Sequence, residues 1–537
     1  MNTGRDAAMD THRPPPWWQR LARRLKGEQE HRPIAIGLAA LAFGVLYFMP
    51  APDSLITLLN SPDPLRATLG VDQTVLESIR TALDQPDLSL EQAAQNAKVI
   101  VGIMLVAAIL WGTVGIPIGA TAFLLAILLY ATNVIPVQAV ARLYMRDAVF
   151  FIIGALALAV GVRKTGFDRR IGLLTLGWAK NRYGLLFLFG PLIAIIAMFI
   201  SAKILIAFLM PVMMCVYKRS CRANGMERCP DLGLFLIFTL VYMTAMGGPG
   251  APTVGARNVI IMDLLADLGQ PMTFFEWMKY GFWFVPVGTF GVGLLLLLTL
   301  GRKIKFRISP GQHIKDEVAT IGPFRGREAI MASILGVTVL FWIFGSGRYG
   351  LGGPAILGLV LMFLFDIVKW SDINNEISWG IVWMYAAAVA MGSLILESGA
   401  GLWLATQVFE LLPAAMLQHN GLLITVSIIT SITTNFMNDG AAVAIMGPIT
   451  LPMAAMAELP LWQVGLATAF SSSFAHCILI GRPGLVVAYA LGRDPETGES
   501  LLNLWRLFKY GCAMTVLSWL ILWGWVFFGY WRFLSFA

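Results

Sequence analysis

The sequence predicts an all-α polytopic membrane protein of about eleven transmembrane helices, in two inverted repeats that each carry a re-entrant hairpin and a broken helix. Three observations carry this prediction. Only 13% of the 537 residues are charged and 57% are hydrophobic, where soluble domains carry about 25% charged residues. Apolar runs long enough to approach a bilayer crossing recur along the whole length, at 33–49, 99–111, 120–130, 185–200, 282–300, 356–365 and 514–528. The chain also echoes itself at a shift of about 230 residues, the internal symmetry expected of transporter folds.

Taken in order, residues 1–32 form a polar, Arg-rich tail, expected in the cytoplasm, and 33–50 a first transmembrane helix that is too long for a cleaved signal. Residues 51–96 hold Asp53, Asp63, Asp72, Glu77, Asp84, Asp87 and Glu91 against Arg66 and Arg80, which marks an extracytoplasmic segment. Residues 97–301 are the first repeat, 302–327 a basic cytoplasmic linker, and 328–537 the second repeat. The formal charge of +8 lies in short loops, around Arg163, Lys164, Arg169 and Arg170, around Lys218, Arg219, Arg222 and Arg228, and from Arg302 to Arg327. Such loops stay inside, so the charge is a topology signal for a bacterial inner membrane with a cytoplasmic N-terminus, not a nucleic-acid surface.

Both basic loops flanking 185–217 require the same side, so that stretch enters and returns as a hairpin. By the same logic 421–456 is a hairpin from the other side. Gly/Pro-rich interruptions break a helix at 231–267 and another at 463–491. Five crossings separate equivalent points, and an odd number turns the second copy upside down. The hairpin tips and breaks then meet near the midplane, where half-helix N-termini offer free N–H groups to an anion.

The chemistry-bearing residues fall at those four points. The first tip carries Ser201 and Lys203, a lysine set among apolar neighbours and costly in mid-membrane unless it serves as a fixed charge. The second carries Asn438, Asp439 and Gly440, so that pseudo-symmetry sets Asp439 opposite Lys203 as a partner or as a proton and cation carrier. The first break supplies Thr253, Gly255, Arg257 and Asn258, and the second Arg482, Pro483 and Gly484. The two arginines suit a fork onto a carboxylate or sulfo group. His476, one to two turns before Arg482, is a proton-carrier candidate. The five cysteines lack histidine partners at ligand spacing, so no metal centre is expected. No zincin, nucleophile elbow or phosphate loop points to an enzyme.

Leu110-Trp111-Gly112-Thr113-Val114-Gly115-Ile116-Pro117, the 154–166 stretch leading to Arg169-Arg170, and Pro211 and Pro448 ten residues after the tips carry a resemblance. From about Ala93 to the C-terminus the chain resembles the divalent-anion/sodium symporter (DASS) family of sulfate and dicarboxylate carriers. The resemblance implies a homodimer, a scaffold and an elevator-like transport domain bearing the tips, with sodium as the coupling ion and no other cofactor. The family's Ser-Asn-Thr tips read Ser201-Ala202-Lys203 and Asn438-Asp439-Gly440 here, and its Thr-Pro-Pro-Asn breaks read Gly255-Ala256-Arg257-Asn258 and Gly481-Arg482-Pro483-Gly484. These departures predict transport of small anions (sulfate, sulfonates or dicarboxylates) without sodium, Lys203 supplying covalently the charge of a bound cation. A cation/proton antiporter built on Asp439 and a non-transporting membrane receptor are the competing expectations.

Overall fold

The computed structural model describes residues 32–536 except 307, 309, 320 and 480; the predicted N-terminal tail lies outside the described residues. The described chain is helical, with two isolated β-bridges and no strand. Eight of its helices are long and apolar enough to cross a membrane, or nine if the bent pair Pro33–Phe48 and Asp53–Leu59 counts as one. Four more apolar helices, Ile118–Thr132, Arg182–Ala197, Pro230–Met246 and Gly352–Leu364, are shorter.

The acidic segment after the first helix is folded. Helices Asp53–Leu59, Pro64–Ala67 and Val75–Ala82 bury Leu55, Leu59, Val75 and Ile79 against the helices beneath. The next helix starts at Leu90, not 97, because Ser89 and Gln92 form a reciprocal capping box ahead of two polar turns. Hydropathy alone misses those turns.

Two halves follow one plan. Leu90–Thr113, Ile118–Thr132, Val137–Tyr144, Asp147–Thr165 and Phe167–Gly177 precede the first hairpin. Arg327–Tyr349, Gly352–Leu364, Trp370–Glu376, Trp379–Glu397 and Ala400–Leu411 precede the second in the same order. The first hairpin runs from Arg182 through a π-helical turn to Ala197, turns at 198–201, and returns as Ala202–Ala223, six residues beyond 217. The second consists of Asn420–Phe436 and Asp439–Met456. The broken helices are Pro230–Met246 with Ala256–Asp267, and Leu461–Ser471 with Pro483–Leu491. Two short helices, Pro310–His313 and Lys315–Ala319, occupy the linker.

Packing is exchanged between the halves. Asp147–Thr165 lies along Gly352–Leu364 as Trp379–Glu397 lies along Ile118–Thr132. The crossings are so close that a methyl on Gly154 would sit 2.6 Å from the backbone of Ala355, and one on Gly119 2.8 Å from Cα of Gly380. Each hairpin's first arm packs on the broken helix of its own half. Its second arm also packs on the far piece of the other half's, Ala202–Ala223 on Pro483–Leu491 and Asp439–Met456 on Ala256–Asp267. That last exchange decides which charged residues meet.

Candidate functional site

Four helices start at one cavity of about 310 Å³. Their N-caps are Ser201, Gly255, Asn438 and Arg482, at the two hairpin tips and the two breaks. Each start leaves backbone N–H groups without a partner inside its helix, and each carries the positive end of a helix dipole. Ten of the twelve predicted substrate residues line the cavity: Ser201, Lys203, Thr253, Gly255, Arg257, Asn438, Asp439, Arg482, Pro483 and Gly484.

The structure does not pair Asp439 with Lys203. Asp439 takes an ion-paired hydrogen bond from Nη1 of Arg257, whose side chain is 4% exposed. The physical reason is the exchanged packing, which lays the second hairpin's return arm on the helix that begins next to Arg257. Lys203 is exposed to the cavity and makes no ion pair among the described residues. Arg482 donates from Nη2 to the carbonyl of Ser473 at 2.8 Å and makes no ion pair among the described residues.

Two predicted residues act beside the cavity rather than in it. Asn258 is fully buried and donates to the carbonyls of Gly248 (3.0 Å) and Ala251 (2.8 Å), so it holds the unwound segment in shape. Gly440 is where the Tyr385 ring packs; an added Cβ would lie 2.1 Å from Tyr385 Cε1. Its N–H donates to Asn438 Oδ1 at 2.9 Å, closing the second tip. Thr253 reaches the other way, donating to the carbonyl of Met198 at the first tip. His476, expected as a proton carrier, lies away from the cavity. It is fully buried, 3.2 Å from Ser518 Oγ and packed against Phe474 and Tyr242.

The sequence reading missed the opposite wall. Arg163, Glu376, Ser378 and Tyr385 line the cavity, and Arg163 pairs with Glu376. The repeat aligns the helices that carry Arg163 and Tyr385, which is the one signal that pointed there. Counting the wall, four cationic side chains face two carboxylates, an excess of two positive charges. Both carboxylates are ion-paired with arginines, and the two cations with no ion pair among the described residues are Lys203 and Arg482. In a partly dehydrated cavity such an excess favours an anion.

The family model for the sodium:sulfate symporter transmembrane region matches residues 75–536. The chain belongs to that family. It is therefore a multi-pass membrane transporter, and the family's chemistry is ion transport, not catalysis. Among similar proteins are a membrane protein of Cupriavidus necator (23% identity, 71% of this chain and 76% of that one) and the sodium-dependent dicarboxylate transporter SdcS of Staphylococcus saprophyticus (23%, 79% and 85%). A solved structure of the YdaH transporter of Alcanivorax borkumensis aligns with a TM-score of 0.48 at 14% identity, over 71% of this chain and 85% of that one.

Proposed function

We propose that this symporter-family protein is a secondary carrier of small anions, sulfate, sulfonates or dicarboxylates, that runs without sodium. The observation that carries the reading is the convergence of four helix N-termini on one cavity with an excess of two positive charges among its described lining residues. The name of the Staphylococcus relative, a dicarboxylate transporter, fits the same class of cargo.

Sodium independence is supported by the fate of the oxygen donors at the tips. A sodium ion needs several oxygens, yet Asp439 is engaged by Arg257 and the Asn438 side-chain oxygen by the Gly440 N–H. At the first tip Lys203 brings its own tethered cation to the cavity, and a tethered charge cannot be released inside. The antiporter reading loses ground on the same observation, since Asp439 answers a buried guanidinium instead of standing free for exchange.

The transport cycle in this reading is an elevator. The hairpins and broken helices, which carry the site, move together against the paired helices Ile118–Thr132 with Trp379–Glu397 and Asp147–Thr165 with Gly352–Leu364. Matching element order and exchanged packing support two inverted repeats. The protein then sits as a homodimer in a bacterial inner membrane with its N-terminus in the cytoplasm.

Counterflow tests the reading. Proteoliposomes loaded with unlabelled sulfate or succinate take up the labelled anion equally in sodium and potassium media. Uptake that requires sodium returns the protein to sodium symport; no uptake of any anion removes the carrier reading.

A further inference from the structure

Away from the anion cavity, a crevice runs between Arg327–Tyr349, Phe167–Gly177 and the first hairpin, and every residue that lines it is apolar. On Arg327–Tyr349 the lining residues Ala332, Gly336, Val339 and Leu340 continue one stripe that starts at Glu328. Gly336 is exposed in the middle of that helix, and a Cβ added there would meet nothing within 4 Å. Glycine weakens a helix relative to alanine, and here no protein atom uses the space it leaves. The head of the stripe is cationic. Arg170 donates from Nε to Glu328 at 2.6 Å and from Nη2 to the carbonyl of Gly322 at 2.8 Å. Its guanidinium lies over the Phe324 ring, which in turn meets Phe167 at the end of the crevice. Arg325, the next residue, is exposed and makes no ion pair among the described residues, so two cations face one carboxylate there.

We propose that this crevice binds a phospholipid with an anionic headgroup: an acyl chain lies along Gly336, and the phosphate meets Arg325 at the basic head. A multi-pass protein has such a lipid at hand, and basic groups beside a membrane span select anionic headgroups. The occupant matters to transport because the crevice and the anion cavity share a wall. Phe199, two residues before Ser201, lines both. From the protein side the first tip is held by Thr253, which donates to the carbonyl of Met198. From the other side Phe199 and Ile200 face the crevice. A chain lying there braces them from behind and holds the turn that presents Ser201 and Lys203 to the anion.

The experiment counts lipids retained by the full chain, by native mass spectrometry from micelles holding equal phosphatidylglycerol and phosphatidylcholine, and adds calorimetric sulfate titration in nanodiscs of each lipid. Phosphatidylglycerol is expected to be retained with about fivefold preference, the share of one arginine, and Arg325→Ala should erase that preference. Gly336→Phe puts a ring into the open space and should expel the lipid, whereas Val337→Phe, on the neighbouring exposed face outside the crevice, should keep it. Ala332→Leu serves if the larger side chain prevents folding. The ratio of sulfate affinities in phosphatidylglycerol and phosphatidylcholine should be about fivefold higher for wild type than for Gly336→Phe, a comparison in which the surface charge of the discs cancels. Equal retention of both lipids by wild type, or phosphatidylglycerol retained by folded Gly336→Phe, overturns the site. Equal sulfate ratios in the two proteins overturn the bracing of the tip. Sulfate binding in neither lipid removes the carrier reading and leaves the lipid count to decide the site.

Discussion

Changing either member of the Arg257–Asp439 pair should move anion affinity in opposite directions. Asp439→Asn removes one of the two carboxylates on the cavity and raises its excess charge from two to three; Arg257→Ala lowers it to one. A unit charge acting across a partly hydrated cavity is worth on the order of 1–2 kcal/mol, so sulfate should bind about five- to thirtyfold tighter to the first variant and correspondingly weaker to the second. Stability follows a different rule. Arg257 is 4% exposed and its Nε already lacks a partner, so losing Asp439 leaves a nearly unanswered buried cation. Breaking a fully buried pair costs about 3–5 kcal/mol; discounted for the 22% exposure of Asp439, roughly 2–3 kcal/mol is expected. The double variant should recover part of that loss, because neither charge is then stranded. Calorimetric sulfate titration gives the affinities, and thermal unfolding in detergent ranks the four proteins. Equal loss of sulfate binding in both single variants would refute the electrostatic argument and restore Asp439 as an obligatory carrier.

Lys203→Ala should abolish stabilisation by sulfate in sodium and potassium alike, read as loss of the anion-induced rise in melting temperature; stabilisation that persists in sodium would assign Lys203 a structural role. Gly440→Ala pushes a methyl into Tyr385 and should cost about 1–3 kcal/mol, with Tyr385→Ala in the same chain relieving it; no relief in thermal unfolding would mean the strain lies elsewhere. Asn258→Ala should cost about 1–3 kcal/mol and weaken anion binding through the unwound segment, because the buried carbonyls of Gly248 and Ala251 lose their donor. Arg146 makes an ion pair with Asp263 at 3.0 Å, a second with Asp267, and a hydrogen bond to Ser393 Oγ at 2.5 Å. Arg146→Lys should therefore be much less stable than wild type, since one ammonium cannot reproduce a fork between two carboxylates; an unchanged melting temperature would refute this.

Much of the site was legible because its markers are punctuation. Pro, Gly and polar residues inside apolar runs fixed both tips and both breaks to within a few residues, and ten of the twelve residues chosen from them face the cavity. The partner of Asp439 was not legible. Pseudo-symmetry relates Lys203 to Asp439, but symmetry-related positions face one another across the cavity, while contacts form between each hairpin arm and the other half's broken helix. Sequence spacing carries no trace of that exchange. Tyr385 and Glu376 were missed because a tyrosine in an apolar helix and a carboxylate at a helix end each have ordinary surroundings until the fold sets them beside Gly440 and Arg163. The helices Asp53–Leu59 and Val75–Ala82 in the acidic segment were not legible because charge, counted along the chain, hides the buried leucines and isoleucine beneath it.

The helix Ala256–Asp267 has a property that follows from its two ends. Arg257, at its first turn, answers Asp439 in the anion cavity; Asp263, one turn before its end, and Asp267, its last residue, are gripped by Arg146. Twelve residues span roughly 18 Å of stiff rod. Arg146 precedes Asp147–Thr165, a helix that lines the cavity, so the rod is pinned at one end to that wall and at the other to a hairpin tip. A displacement of the second tip relative to that wall therefore has to stretch or break one of these two sets of ion pairs, at Arg257 or at Arg146.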